Sequence, residues 1–279
     1  MSGRRVWQVV ALAFLLTGAA WILPHGDLLH IGAVPPFLAG IALMSLGYLA
    51  ALRVGGFSVA MFWIVAVGLR LMLLAMAPGD DIHRYVWEGR VLSGGFNPYL
   101  HAPNAPELSL LRDAAWENIG HPHYTAIYPP LAEITFAVLA WFGAGITGVK
   151  ALIALADLAV CGLLARRFGT GRALVYAWNP LVLYCFAGGG HYDSLFILAL
   201  VGAWLGGGTI AKRVGRAFLL PALAILGALW AYPFALNVRE NGLRLGGSGA
   251  HELNFAAADF TGFGELARRL AEHDPALLL

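Results

Sequence analysis

Apolar stretches separated by short polar segments make up most of this chain, and their lengths predict membrane-spanning helices. A helix needs about 20 predominantly apolar residues to cross a bilayer. Seven crossings are predicted, at residues 6–23, 31–52, 58–77, 151–164, 173–187, 194–207 and 217–234. The apolar stretch 131–145 is short and carries Glu133 near its start. It is predicted to dip into the membrane without crossing it, because a full crossing would place Arg166, Arg167 and Arg172 outside the cytoplasm.

The composition agrees with a membrane protein. Of the 279 residues, 59% are hydrophobic and 12% are charged, and the mean hydropathy is +0.70. Soluble domains are about half apolar and about a quarter charged. The net charge of +2 is too small to indicate a nucleic-acid partner. Cys161 and Cys185 lie in apolar stretches and are interpreted as small core side chains rather than as a disulfide or metal pair.

The predicted fold is therefore an all-α, polytopic helical bundle that forms one membrane domain over residues 1–279. Its predicted parts are the first three spans (1–77), an outer loop (78–128), the remaining helices (129–235) and an outer tail (236–279) with a surface helix at 263–273. Within the outer loop, residues 107–118 have apolar side chains at helical spacing, which predicts an amphipathic helix on the membrane surface.

Basic residues in the short loops predict the orientation, because cytoplasmic loops carry an excess of Lys and Arg. The three basic groups are Arg4 with Arg5 and Arg53, then Arg166, Arg167 and Arg172, then Lys212, Arg213 and Arg216. With these groups inside, the loop that begins near Asp80 and the segment around His191 both lie on the extracytoplasmic face of the membrane.

Two charged residues fall inside predicted spans. Arg70 either extends to the outer interface or points at an anionic ligand there. Asp157 either pairs with an interior partner such as Asn179 or faces the bundle interior.

The most polar stretch of the chain follows the third predicted span directly. It contains the acids Asp80 and Asp81 and the bases Arg84 and Arg90. Charge is costly near lipid, so such a cluster at the membrane edge indicates a site. A carboxylate there can take a proton from a hydroxyl, and partial burial raises its pKa toward a useful range. Arginine suits phosphate oxygens because its donors form a fork.

Aromatic side chains accompany this cluster. Tyr85 and Tyr99 offer flat faces that suit either a sugar or an anchor at the membrane interface. Acid, arginine and aromatic residues together fit a transferase that uses a sugar linked to a lipid phosphate.

A structural interpretation stays open for each of these residues. Asp80 is well placed to cap a helix that runs to about Leu92. Arg84 has Asp81 three residues before it and Glu88 four residues after it, which favours a salt-bridge hub. Adjacent carboxylates point to different faces of a helix, so Asp80 and Asp81 are not predicted to share a proton. One acts as the base while the other caps or orients.

A second polar group lies at His191 and Asp193. The two side chains either form a hydrogen-bonded pair or cap the helix that follows. His121 and His123 are two positions apart across a proline, which is a weak metal signal, and no metal ligand is assigned.

Several motifs resemble the GT-C-fold integral-membrane glycosyltransferases. Residues 80–99 are similar to the first outer loop of that family, most of all in the polyprenyl-phosphate-sugar-dependent enzymes that include bacterial mannosyltransferases. The Tyr-Pro-Pro-Leu motif at 128–131 resembles the entry to the family's next helix. Trp-Asn-Pro at 178–180 and Gly-His-Tyr-Asp at 190–193 resemble its Asn-Pro and Gly-His-x-Asp pair. The resemblance covers about residues 60 to 205.

The resemblance implies transfer of a hexose, with mannose suggested by analogy, from polyprenyl phosphate to a hydroxyl of a glycan or lipid acceptor. It implies a bacterial plasma-membrane location, an extracytoplasmic active site, and Asp80 or Asp81 as general base, with inversion at the anomeric carbon. The implied substrate-binding residues are Arg84, Arg90, Tyr85, Asn97, Tyr99, Tyr128, His191 and Asp193. No cofactor is implied, although an arginine or a divalent cation is needed to neutralise the departing phosphate.

The chain departs from the family pattern after the Gly-His-x-Asp motif, where relatives usually have more spans. Here Gly206-Gly207-Gly208 leads to Lys212-Arg213 and one final predicted span. Two alternatives therefore stay open: an inactive, truncated membrane paralogue, and a transporter or flippase of lipid-linked sugars. A transporter predicts charged or broken helices near the midplane and paired repeats; Asp157 is the one acid predicted mid-span, and no repeat is found.

Overall fold

The computed structural model describes residues 3–205, 243–245 and 253–255. Its α-helices are α1 (Gly3–Ile22), α2 (Val34–Val54), α3 (Val59–Leu73), α4 (Asp81–Ser93), α5 (Ala114–Glu117), α6 (Pro130–Trp141), α7 (Ile146–Phe168), α8 (Thr170–Ala177), α9 (Pro180–Leu183) and α10 (Asp193–Leu205). The span predicted at 217–234 and the tail helix predicted at 263–273 lie outside these residues.

Shorter elements complete the described part of the chain. Three 3-10 helices cover Leu23–His25, Ile31–Ala33 and Pro106–Leu111, and a π-helix covers Tyr184–Gly188. Two short strands, β1 (Leu243–Leu245) and β2 (Leu253–Phe255), pair antiparallel with Arg244 opposite Asn254. Residues 3–205 are thus helices and loops, in line with the predicted all-α bundle.

Among the described residues, three helical segments are long and apolar enough to cross a membrane: Gly3–His25, Ile31–Val54 and Ile146–Phe168. They match three of the predicted crossings and indicate a membrane protein. Helices α3, α6 and α10 are apolar but shorter. The third predicted crossing, 58–77, shortens to α3 because the helix ends at Leu73 and the chain turns before Asp80.

Two predicted helices are interrupted in the structure. The predicted crossing 173–187 divides into α8, α9 and the π-helix, because Pro180 lacks an amide donor and Asn179 caps α9 instead. The predicted surface helix 107–118 divides into a 3-10 helix and α5, because the Asp113 carboxylate accepts from the amides of Ala115 and Trp116 and so starts a new helix.

Helices α1 and α2 pack through glycines. A methyl group on Gly18 would lie 2.6 Å from the Met44 nitrogen, and one on Gly47 would lie 2.5 Å from the Leu15 nitrogen. The two backbones therefore approach each other directly, which is how small residues stabilise helix pairs in lipid. Large apolar side chains such as Phe14 and Leu46 point outward from this pair, where acyl chains would cover them.

A buried ion pair joins α3 to α7. The Nε atom of Arg70 lies 2.7 Å from Oδ2 of Asp157, and both side chains are at most 1% exposed. Arg70 also donates to the carbonyls of Ala66 and Ala177, each at 2.9 Å. Arg70 does not extend to the outer interface, because its side chain is 1% exposed and pairs with Asp157 inside the bundle. Asp157 faces the interior, and its ion-pair partner is Arg70 rather than Asn179.

A second buried cation holds the end of α3. Lys150, in the first turn of α7, is 2% exposed, and its Nζ donates to the carbonyls of Leu73, Leu74 and Met76 at 3.4, 3.0 and 2.7 Å. A cation is favourable there because the carbonyl end of a helix carries partial negative charge. Lys150 thereby fixes the point from which the chain leaves α3 toward the polar segment that begins near Asp80.

The glycine packing predicts that a Gly→Ala substitution has opposite effects on stability at two positions. Gly18→Ala should destabilise the α1–α2 pair, by on the order of 1–3 kcal/mol, because backbone atoms surround the new methyl group. Gly68→Ala in α3 should be neutral or stabilising, because nothing lies within 4 Å of its methyl group. Thermal unfolding in detergent measures both, and equal effects would contradict the close approach.

The ion pair predicts a non-additive result. Arg70→Met should cost about 3–5 kcal/mol because it leaves the Asp157 carboxylate buried without its cation. The double variant Arg70→Met/Asp157→Leu should recover most of that loss. Arg166→Leu, which removes an exposed arginine of α7, is the matched control and should change little. Chemical unfolding of these proteins and of the single variant Asp157→Leu measures the coupling, and additive losses would show that the two charges act independently.

Candidate functional site

Two glycine-containing segments bring the polar clusters together. The Gly79 amide donates to the Gly189 carbonyl at 2.8 Å. Gly190 has a φ of +78°, a conformation that glycine adopts without strain. The loop after the π-helix therefore turns back onto the start of α4. The Asp80–Asp81 pair and His191, which the loop charges predict to lie on the same side, are in contact in the structure.

Asp81 lies at the centre of this contact. The Tyr128 hydroxyl donates to its Oδ1 at 3.4 Å, and Nδ1 of His191 lies 3.8 Å from its Oδ2. Its side chain is 46% exposed, so a hydroxyl-bearing molecule can reach it. Partial burial and the neighbouring Asp80 raise the pKa of Asp81, while His191, the Tyr128 hydroxyl and Arg84 act in the opposite direction.

Asp80 has a different environment, although it is the adjacent residue. Its side chain is exposed and accepts a hydrogen bond from the Asp81 amide at 3.1 Å. It therefore caps the first residue of α4, and the two carboxylates do not form a shared-proton pair. The capping role that the sequence left open between the two residues therefore belongs to Asp80.

Tyrosine rings form one wall of the site. Tyr85 stacks on Phe136 with centroids 4.7 Å apart, and both rings contact Tyr128 and Tyr192 edge-on. Tyr85 and Tyr128 are buried, and burial raises the pKa of both phenols. They stay neutral, so Tyr128 can donate to Asp81 at any working pH. Tyr85 contributes packing rather than an open face.

His191 and Asp193 border the open side. The His191 side chain is 34% exposed, and its amide donates to the Cys185 carbonyl at 2.9 Å, which seats it over the π-helix. Asp193 is exposed in the first turn of α10. Burial, and then the adjacent Asp193, raise the pKa of the Tyr192 phenol.

Arg84 is a structural hub in this arrangement. Its guanidinium bonds the Glu88 carboxylate, at 2.9 Å from Nε, and also the carbonyls of His121, Tyr124 and Thr125 at 3.4, 2.9 and 3.2 Å. It is 7% exposed. This matches the predicted pairing with Glu88 four residues on. The guanidinium points toward the 121–125 segment, where it holds three carbonyls in place.

Three further candidate residues have partners other than Asp81. Arg90 is nine residues further along α4, about 13 Å at 1.5 Å per residue, and it pairs with Asp113. The Asn97 side chain accepts from the Tyr99 amide at 2.9 Å, and the Tyr99 hydroxyl donates to the Tyr128 carbonyl. These residues shape the loop that supports Tyr128.

Two buried charged residues near the site have a larger part than the sequence indicated. Glu133 marked only the start of a short apolar stretch, yet it is 1% exposed and lies against α4. No role was predicted for Lys150. The signal available in both cases was a charge inside an apolar stretch, which is rare without a function or a partner.

No group of three or more His, Cys, Asp or Glu side chains in the described residues is arranged to hold a metal ion. Comparison with known proteins gives no matching family model, no similar curated protein and no similar solved structure. The glycosyltransferase resemblance therefore remains a prediction that rests on its motifs.

The electrostatics of Asp81 predict opposite shifts for two substitutions. Asp80→Asn should lower the pKa of Asp81 because it removes a neighbouring negative charge. Tyr128→Phe should raise that pKa because it removes a donor to the ionised carboxylate. The carboxyl carbon-13 shift of labelled aspartate, followed against pH, measures both.

Tyr48→Phe is the control for that experiment, because its hydroxyl donates to the Val175 carbonyl and not to Asp81. It should leave the titration unchanged. Shifts of the same sign in Asp80→Asn and Tyr128→Phe would contradict the arrangement described.

Proposed function

We propose that this chain is a multi-pass membrane glycosyltransferase with Asp81 as its general base. It transfers a hexose, mannose by analogy, from a polyprenyl-phosphate sugar to a hydroxyl of a glycan or lipid acceptor on the extracytoplasmic side. The observation that carries the proposal is Asp81 itself: a half-exposed carboxylate with a raised pKa, in contact with Tyr128 and His191 beside the ends of apolar helices.

In the proposed reaction, Asp81 takes the proton of the acceptor hydroxyl as its oxygen attacks the anomeric carbon. The bond from that carbon to the phosphate oxygen breaks, and the lipid phosphate leaves with the electron pair. The new bond forms on the opposite face, so the configuration inverts. Tyr128 orients the base through its hydroxyl.

The departing phosphate needs a cationic partner. Arg84 is occupied by Glu88 and three carbonyls, so His191 is the better placed group. In its protonated form it would offer an N–H donor to a phosphate oxygen on the open side of the site. Asp193 and Tyr192 border the same opening and suit contacts with sugar hydroxyls.

The loop arginines support the assignment of this site to the extracytoplasmic face. Arg4 and Arg5 lie at the start of α1 and Arg53 at the end of α2, and both of these helix ends are on the side away from the site. A donor anchored by a polyprenyl chain would enter along the exposed apolar surface of the helices. Exposed Trp141 and Phe142, at the end of α6, add to that apolar surface.

The proposal predicts that Asp81→Asn abolishes sugar transfer. A positioned general base contributes about 10²–10⁴-fold, so transfer should fall by at least that lower factor. Asp80→Asn should keep most of the activity because Asp80 caps α4. The measurement is transfer from a panel of radiolabelled polyprenyl-phosphate sugars in membranes that contain the chain.

Asp27→Asn, an exposed loop acid that pairs with His30, is the matched control and should transfer at the wild-type rate. The wild-type rate should rise with pH through the raised pKa of Asp81, because the base acts only when ionised. If the wild type transfers no sugar while a related transferase does so in the same assay, an inactive paralogue is the better description.

A second function has one observation in its favour. The segment from α8 to α10 is a broken helix with a π-turn and three consecutive glycines, and discontinuous helices line the binding sites of many transporters. A flippase of lipid-linked sugars would move a labelled donor across proteoliposomes without forming a glycosylated product. The same donor panel therefore separates the two functions.

A further inference from the structure

Two buried carboxyl groups face each other between α4 and α6. Glu88 is 2% exposed and Glu133 is 1% exposed. The helices touch here through their backbones, because a methyl group on Gly89 would lie 2.3 Å from the Phe136 carbonyl oxygen. This close approach presses the two neighbouring glutamates together in a place that water does not reach.

Most of the oxygen atoms of this pair lack a donor. Arg84 bonds one oxygen of Glu88, Oε1. Among the described residues, the other Glu88 oxygen and both Glu133 oxygens accept no hydrogen bond. An ionised carboxylate can only accept, and a buried acceptor without a donor is destabilising. A proton on one carboxyl would turn it into a donor to the other.

The charges near the pair lead to the same conclusion. The titratable groups that face it are Arg84, Tyr99, Tyr128 and Tyr192. The three tyrosines are neutral, so within the described part of the chain one arginine faces two carboxyls. Two carboxylates in contact in a buried place cannot both ionise. Burial, and then the adjacent Glu88, raise the pKa of Glu133 well above its ordinary value, and Arg84 opposes them only in part.

We propose that Glu88 and Glu133 hold one proton between them, and that the resulting neutral triad with Arg84 positions the 121–128 segment against α4. Arg84 carries this effect, because the guanidinium that pairs with Glu88 also holds the carbonyls of His121, Tyr124 and Thr125. Tyr128, which donates to Asp81, lies at the end of that segment. Glu133 is thus a positioning residue, and the inference holds whichever substrate the site takes.

The proposal predicts the direction in which folding stability changes with pH. In the unfolded chain Glu133 titrates near its ordinary pKa, whereas in the folded protein it keeps its proton to higher pH. The stability contributed by the triad is therefore complete below the ordinary glutamate pKa, and it is lost as the pH rises toward the raised pKa of Glu133. Above that pKa the triad carries a net negative charge that pushes α4 and α6 apart.

The test is the melting temperature of the purified full chain in detergent, followed from about pH 5 to about pH 9. The wild type should lose about 3 °C per pH unit over the range in which the folded protein alone holds the proton. Glu133→Gln supplies a permanent donor of the same shape, so it should remove this dependence. Glu117→Gln, which changes an exposed glutamate of α5, should keep the wild-type dependence of the melting temperature on pH.

An infrared spectrum gives a second measurement that needs no stable variant. The wild type at neutral pH should show the C=O stretch of a protonated carboxylic acid, and that band should vanish at alkaline pH in step with the melting temperature. Glu133→Gln should lack the band, whereas Glu117→Gln should retain it. Absence of the band from the wild type at neutral pH, or an unchanged pH dependence in Glu133→Gln, would overturn the proposal. Neither measurement involves sugar transfer, so failure of the proposed function leaves it intact.

Discussion

The candidate site depends on one backbone hydrogen bond, from the Gly79 amide to the Gly189 carbonyl. It joins two segments that are distant in the chain, and the second segment contains three consecutive glycines. A methyl group on Gly188 would lie 2.7 Å from the Met76 side chain, and Gly190 has a positive φ that other residues rarely adopt. Through this bond, the Asp81 carboxylate of the first segment and the His191 ring of the second come within 3.8 Å.

Buried charge connects this site to the apolar helices. Arg70 is paired with Asp157, Lys150 is held by three carbonyls at the end of α3, and Arg84 is shared between Glu88 and three loop carbonyls. An unpaired charge inside such a protein would be costly, so each cation holds together the elements that supply its acceptors. The three cations follow one another from the last turn of α3, to the carbonyls at its end, to α4, which begins at Asp81.

Parts of the site were visible in the sequence because they are local. The Asp80 cap and the Arg84–Glu88 pair involve residues within four positions of each other, and helical spacing predicts both. Loop charge also grouped Asp81 with His191 on one side. The Glu88–Glu133 contact was not predictable in this way, because it depends on which faces of α4 and α6 meet and on how closely Gly89 lets them approach.

By itself, the sequence determined that the chain forms apolar helices, and it marked many of their ends through proline, glycine and capping residues. Gly55 and Gly169, for example, terminate α2 and α7 with positive φ angles. The tertiary structure alone decided the partners of the buried charges. Arg70 and Asp157 are 87 residues apart, and periodicity and loop charge specify the face or side of each residue but not its partner. Pairing is selected by the cost of leaving a charge unpaired inside the packed bundle, which exists only once the helices have assembled.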